Sequence, residues 1–175
     1  MKKHNLAFID IELTGLDLTK HEIIEVGCVI TTPSFEILDE FELKIKPERI
    51  EDADPVSLKI SHYDEKNWAD AYSLEEAMKI FSEKVEGCIM VAHNIAFDSE
   101  FLDYAFSKTG IKNTMHYHRL DTISLAWAKL HREPDLEHFS LRELCVRFNI
   151  KNENAHTALS DSRATFELYK KLMSL

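Results

Sequence analysis

Two carboxylates stand one residue apart in the apolar run Phe8-Ile9-Asp10-Ile11-Glu12. Residues two apart in a strand share a face, so Asp10 and Glu12 can address one cation. Acids within an apolar strand are costly, and two on one face repel each other unless a metal sits between them. Asp98 lies one turn into a helix that opens where the apolar stretch Cys88–Ala92 ends, which sets its carboxylate at the end of a sheet. Taken alone it reads as a dipole partner for that helix's first turn. Asp161, Thr165, Leu168 and Leu172 are spaced i, i+4, i+7 and i+11, so an acid heads the stripe that must face the core. His156, five residues earlier, falls at or just before the helix start. The chain has nine histidines, for which a structural role is the ordinary one, and only its company singles His156 out.

Four carboxylates on one strand face and two helix starts are too many for a network without cations. Carboxylates are the hard oxygen donors that Mg²⁺ and Mn²⁺ take, whereas zinc calls for His and Cys ligands that this spacing does not offer. The set suits two-metal phosphoryl chemistry, with ions about 3.5–4 Å apart, one activating water and the other stabilising the leaving oxygen. A histidine that titrates near neutrality is then a natural general base.

The elements that must position these groups follow from periodicity. Residues 5–12, 22–32 and 35–45 read as three strands, rich in Ile, Val and Phe and joined by short turns, hence an antiparallel meander. The middle one is almost continuously apolar, as a strand covered on both faces must be; the third alternates more cleanly and belongs nearer an edge. Residues 46–72 form a long polar connection, functional or partly helical. Ser73 and Glu76 make a capping box for a helix to about Glu86, ended by Gly87. After the strand 88–92 comes the helix that carries Asp98, with Phe97, Phe101, Leu102 and Ala105 at helical spacing. A fifth strand is expected at His116–Leu120, then a helix from Thr122 to about Lys129. A second capping box, Ser140 to Glu143, opens a helix ending near Asn149, and the last helix runs from about Ala158 to Leu172. The sum is one α/β domain over residues 1–175: a mixed five-stranded sheet, an antiparallel meander followed by helix–strand alternation, flanked by helices.

Composition bounds the partners. With 31 acidic against 21 basic residues, a net charge of −10 argues against bulk electrostatic affinity for nucleic acid or anionic lipid. It does not exclude a phosphate substrate at a site where cations reverse the local sign. Cys28, Cys88 and Cys145, odd in number and widely spaced, read as free thiols in a reducing compartment. The apolar run after Lys2 and Lys3 is broken by Asp10 and Glu12 before it reaches signal-peptide length, and no stretch is long enough to span a bilayer. A cytoplasmic protein without a membrane partner is expected.

Three segments now carry a resemblance. Phe8-Ile9-Asp10-Ile11-Glu12-Leu13-Thr14-Gly15-Leu16, His93-Asn94-Ile95-Ala96-Phe97-Asp98-Ser99-Glu100-Phe101-Leu102 and Ala155-His156-Thr157-Ala158-Leu159-Ser160-Asp161-Ser162-Arg163-Ala164-Thr165 look like the three exonuclease motifs of the DEDD superfamily. The histidine five residues before the last aspartate marks the DEDDh subgroup, which includes proofreading subunits of DNA polymerases, ribonuclease T and oligoribonuclease. The resemblance spans nearly the whole chain and implies a ribonuclease H-like fold. It implies further that Asp10, Glu12, Asp98 and Asp161 hold two Mg²⁺ or Mn²⁺ ions and that His156 activates the attacking water. The implied reaction is 3′→5′ exonucleolytic release of 5′-mononucleotides from the 3′ ends of single-stranded DNA or RNA, or from short oligonucleotides. Leu13, Thr14, Gly15 and Leu16 would lie along the terminal nucleotide, with Asn94 and Phe97 flanking it; Leu16 and Phe97 are each as open to core packing as to base stacking.

Leu13 stands where many members have Thr, as oligoribonuclease-like members also vary, and this bears on substrate preference. No contact is assigned to Ile60-Ser61-His62-Tyr63-Asp64, which replaces a Gly-Ile-Thr sequence of many relatives. With no tail after the last helix to dock a polymerase, a stand-alone enzyme, or one held by surface contacts, is expected rather than a tethered proofreader, and a homodimer like that of some relatives stays open. Two other readings stay open: a non-catalytic module binding nucleic acid or protein on the same fold, and a metal phosphohydrolase of small nucleotides.

Overall fold

The computed structural model describes residues 4–175; the Lys2 and Lys3 of the leader argument lie outside them. Three strands, β1 (Leu6–Leu13), β2 (Ile23–Thr31) and β3 (Ile37–Lys44), form the expected antiparallel meander. Then β4 (Ile89–Ala92) and β5 (Arg119–Asp121) add on parallel to β1, giving the order β3-β2-β1-β4-β5. Every residue of β2 is buried, while β3 at the edge alternates.

β1 separates two chemistries by its pleat. Ala7, Ile9, Ile11 and Leu13 share a core with α2 (Leu74–Lys84) and α3 (Ile95–Thr109), through Met78, Phe81, Phe101 and Leu102 among others. On the opposite face Leu6 and Phe8 pack on Phe166 and Tyr169 of α6 (Ala158–Met173). Strand alternation therefore turns Asp10 and Glu12 toward α6 as well, beyond the apolar pair and beside the helix's first turn. The stripe expected on α6 is present: Thr165, Leu168 and Leu172 are buried, the two leucines against α4 (Thr122–Leu130) and α5 (Leu141–Phe148).

The connection 46–72 is partly helical. A 3₁₀ turn at Ile50–Asp52 precedes α1 (Pro55–Ile60), which Asp54 caps through the Val56 amide at 2.9 Å and Pro55 opens at the position where its missing N–H costs nothing. Trp68 then pins the segment to the sheet by donating to the Ile24 carbonyl at 2.8 Å.

Two expectations need correction. The Ser73–Glu76 capping box forms in full, but at α5, among the described residues, only its first half does, the Glu143 amide donating to Ser140 Oγ at 3.3 Å. The fifth strand begins at Arg119 rather than His116. Residues 116–118 are drawn into a local turn in which the His118 amide donates to His116 Nδ1 at 3.2 Å, a competitor of the ladder. All three cysteines are buried and free. No helix among the described residues is long and apolar enough to cross a membrane.

Candidate active site

The acids meet at the carboxyl ends of β1, β4 and β5, where open α/β sheets present their crevice. β1 supplies Asp10 and Glu12, both partly accessible. Asp98 stands in the first turn of α3 and Asp161 in the first turn of α6; both are buried. Asp10 and Glu12 both feel the charges of Asp98 and Asp161. Burial, then the charges of Asp98, Asp161, Glu12 and Glu25, raises the Asp10 carboxyl well above the ordinary carboxylate range. Burial, then Asp161, Glu25 and Asp98, pushes Glu12 up to about 8. Burial also lifts Asp98 to about 7, against the pull of the backbone amides of Asp98 and Ile11.

His156 is exposed, with its backbone at φ +68, the left-handed region that a side chain rarely adopts. Such strain costs on the order of 1–3 kcal/mol and persists only where the surroundings hold it. Here the His156 amide donates to Asp161 Oδ2 at 3.1 Å, while Asn152 Nδ2 donates to Oδ1 and Ser160 Oγ donates to Asn152 Oδ1 at 2.7 Å. Glu12, His156 and Asp161 each offer a ligand atom, all within 4.8 Å of one another. Among the described residues none of the four motif acids joins an ion pair. Oxygen-rich, crowded and uncompensated, the donor set fits hard divalent cations.

The segment after Glu12 divides into scaffold and surface. Thr14 is buried, its hydroxyl accepting the Glu22 amide at 2.8 Å and its carbonyl the Asp54 amide at 2.8 Å. Gly15 lies against the His21 ring so closely that a Cβ would strike it. Leu13 is buried too, whereas Leu16 is 73% exposed, which rules out core packing for it. Phe97 is half-buried against Phe101 and also lines a hollow of about 250 Å³ with Glu12, Leu16, Val56 and Ile60. Asn94 is exposed at φ +69 and takes part through its backbone: Asp121 Oδ1 accepts its amide at 3.0 Å and also caps α4.

Sequence reasoning missed Val56, Ile60, Asn152 and Glu25 and left Asp121 without a role. Glu25 did leave a trace, as a charge inside the apolar run Ile23–Ile30, and Asp121 stands at an N-cap position. Val56 and Ile60 sit in a segment whose composition reads as a polar loop.

The RNase_T exonuclease family model matches residues 7–169. The chain belongs to this exonuclease family. It is 34% identical over 169 residues to the PolC-type DNA polymerase III of Caldanaerobacter subterraneus subsp. tengcongensis, covering 94% of this chain and 11% of that protein. It is 32% identical over 167 residues to the DNA polymerase III subunit epsilon of Treponema pallidum, covering 94% and 74%. The chain thus spans about a tenth of the PolC-type relatives and about three quarters of the epsilon subunit. Among solved structures, exonuclease I superposes with a TM-score of 0.86 at 17% identity, over 98% of this chain and 41% of that one. E. coli exonuclease I in complex with a dT13 oligonucleotide gives 0.83 at 18%, over 98% and 41%. These likenesses bear out the ribonuclease H-like fold and mixed sheet for this exonuclease family member.

Proposed function

We propose that this exonuclease removes nucleotides one at a time, as 5′-monophosphates, from the 3′ end of single-stranded nucleic acid in the presence of Mg²⁺ or Mn²⁺. The observation that carries the reading is the junction at Glu12: on one side Glu12, His156 and Asp161 with ligand atoms within 4.8 Å of one another, on the other a largely apolar hollow of nucleobase size. Relatives that are DNA polymerase components, and exonuclease I structures holding dT13 and dA16, favour DNA over RNA. Three buried free thiols suit the cytoplasm.

In this reading Leu16, Val56, Ile60 and Phe97 seat the terminal base, which aligns its 5′ phosphodiester over the acids. Asp10, Glu12, Asp98 and Asp161 would hold two cations, which when bound supply positive charge to the phosphoryl group and acidity to the attacking water. A ring nitrogen of His156 takes the proton of that water as the new phosphorus–oxygen bond forms. The bond from phosphorus to the 3′-oxygen of the preceding nucleotide breaks, and that oxygen is reprotonated from solvent. The exposure of His156 lets it return its proton to bulk water between cycles.

A 5′-labelled single strand incubated with Mg²⁺ is expected to shorten in one-nucleotide steps, and EDTA to stop it. An intact strand would favour the binding-module reading, and nucleotide hydrolysis without strand shortening the phosphohydrolase. Leu16→Ala should raise KM by about 5–30-fold, as loss of about 1–2 kcal/mol of apolar contact with a base face would, and leave Tm unchanged because Leu16 covers no core. An unchanged KM removes Leu16 from the base site. His156→Ala should lower kcat by about 10²–10⁴-fold with Mn²⁺ affinity kept within about threefold; equal loss of both would make His156 a ligand instead of a base.

A further inference from the structure

Glu25 faces Glu12 across the β1–β2 ladder and is only 2% exposed. A buried carboxylate needs donors, and the donor it has comes from far along the chain. Glu25 Oε1 accepts the backbone amide of Ala158, the first residue of α6, at 2.7 Å. That helix has no cap of its own: Thr157, at the N-cap, makes no side-chain cap bond, and its hydroxyl turns back to the Asn154 carbonyl at 3.0 Å. Two residues along β2, Gly27 leaves room for the helix start, since a Cβ there would run into the backbone of Ala158 and Leu159. Ser162 Oγ completes the seam by donating to the Gly27 carbonyl at 2.9 Å.

This seam sets the height and rotation of α6's first turn against the sheet. Asp161 is on that turn, and His156, at its strained φ of +68, is two residues before the anchored amide. We infer that Glu25 is a positioning residue of the exonuclease site: as an acceptor on β2 that caps α6 from across the fold, it holds His156 and Asp161 in reach of Glu12. The inference rests on the proposed exonuclease reading for its effect on turnover, and on geometry alone for its effect on cation binding.

The test compares Glu25→Ala, Glu25→Gln and the wild type. It measures kcat and KM on a labelled single-stranded oligonucleotide and Mn²⁺ affinity by calorimetry, after circular dichroism has established folding. Glu25→Ala is expected to lose about 10–100-fold in both kcat and Mn²⁺ affinity, the usual cost of removing a group that orients metal ligands, with KM within about threefold of wild type. Glu25→Gln keeps an oxygen acceptor in place and is expected to recover both within about threefold. An Ala variant with wild-type kcat and Mn²⁺ affinity overturns the proposal, as does a Gln variant as impaired as Ala, because charge and not the acceptor would then matter. Where Glu25→Ala does not fold, Glu25→Asp decides: it keeps the charge but withdraws the oxygen by one methylene, so loss supports the anchor and wild-type behaviour sinks it. A wild type that leaves the strand intact counts against the exonuclease reading, and the Mn²⁺ titration then decides the anchor by itself.

Discussion

Asp10→Asn is expected to abolish turnover and to stabilise the metal-free protein at the same time. Burial raises the Asp10 carboxyl most, and the charges of Asp98, Asp161, Glu12 and Glu25 add to it. Without a cation, folding forces this side chain either to keep a proton that water would take or to bear a charge among like charges. Asn has the same shape and no charge to bear. At pH 8 in EDTA the variant should therefore melt above wild type, by about 2–4 °C for every gain of about 1 kcal/mol in a chain this size. Activity should fall on the order of 10³-fold or more, as removal of a group that acts as part of a catalytic unit does. Asp161→Asn should behave the same way toward activity. Thermal scans and a Mg²⁺-dependent nuclease assay on one preparation read both effects. Full activity in either variant would end the assignment of these acids, and a lower Tm for Asp10→Asn in EDTA would mean that the cluster is not under electrostatic strain.

The same strain gives the metal-free protein an unusual pH dependence. Glu12, Asp98 and Glu25 hold their protons more tightly folded than unfolded, with pKa values pushed up to about 8, 7 and 7. Their protonated forms favour the native state, fully so below the carboxylate range of the unfolded chain near 4. As pH rises the unfolded chain gives up its protons first, so native stability falls until the pH has passed about 7 for Asp98 and Glu25 and about 8 for Glu12. In EDTA, Tm should drop by about 5–10 °C between pH 5 and 8, the partial accessibility of Glu12 having been allowed for. Mg²⁺ or Mn²⁺ should restore it, and by more at pH 8 than at pH 5, because the cations compete with these protons and displace them on binding. Differential scanning calorimetry across the pH series measures this. A flat or rising Tm in EDTA over that window, or a cation shift equal at both ends of it, would contradict the picture.

The two results share a cause. In the proposed reading, groups that hold cations are badly placed when the cations are gone, so function and apo stability pull in opposite directions. The same conflict makes the site visible in the sequence: an acid at Asp10 or at the head of the α6 stripe breaks a pattern that packing alone would keep apolar.

Patterns of this kind are local, and what they encode was legible in the sequence alone. The pleat of β1 put Asp10 and Glu12 on one face, helical spacing put Asp161 on the buried stripe, and the capping signal at Ser73 located α2. The order of elements identified the sheet, and the three motifs the family. The side chains of α1 could not be assigned a role, because whether Val56 and Ile60 face solvent or Leu16 depends on how the 46–72 segment closes on the sheet. The role of Glu25 was equally hidden, although its anomaly was in plain view. Its partner is the amide of Ala158, and since nearly every residue carries a backbone N–H, no side-chain pattern marks the one that a distant carboxylate will choose. The sequence by itself determined which acids share a face and which family the chain belongs to; the tertiary structure decided what holds the helix of Asp161 to the sheet, because anchors made to the backbone leave no signature in residue types.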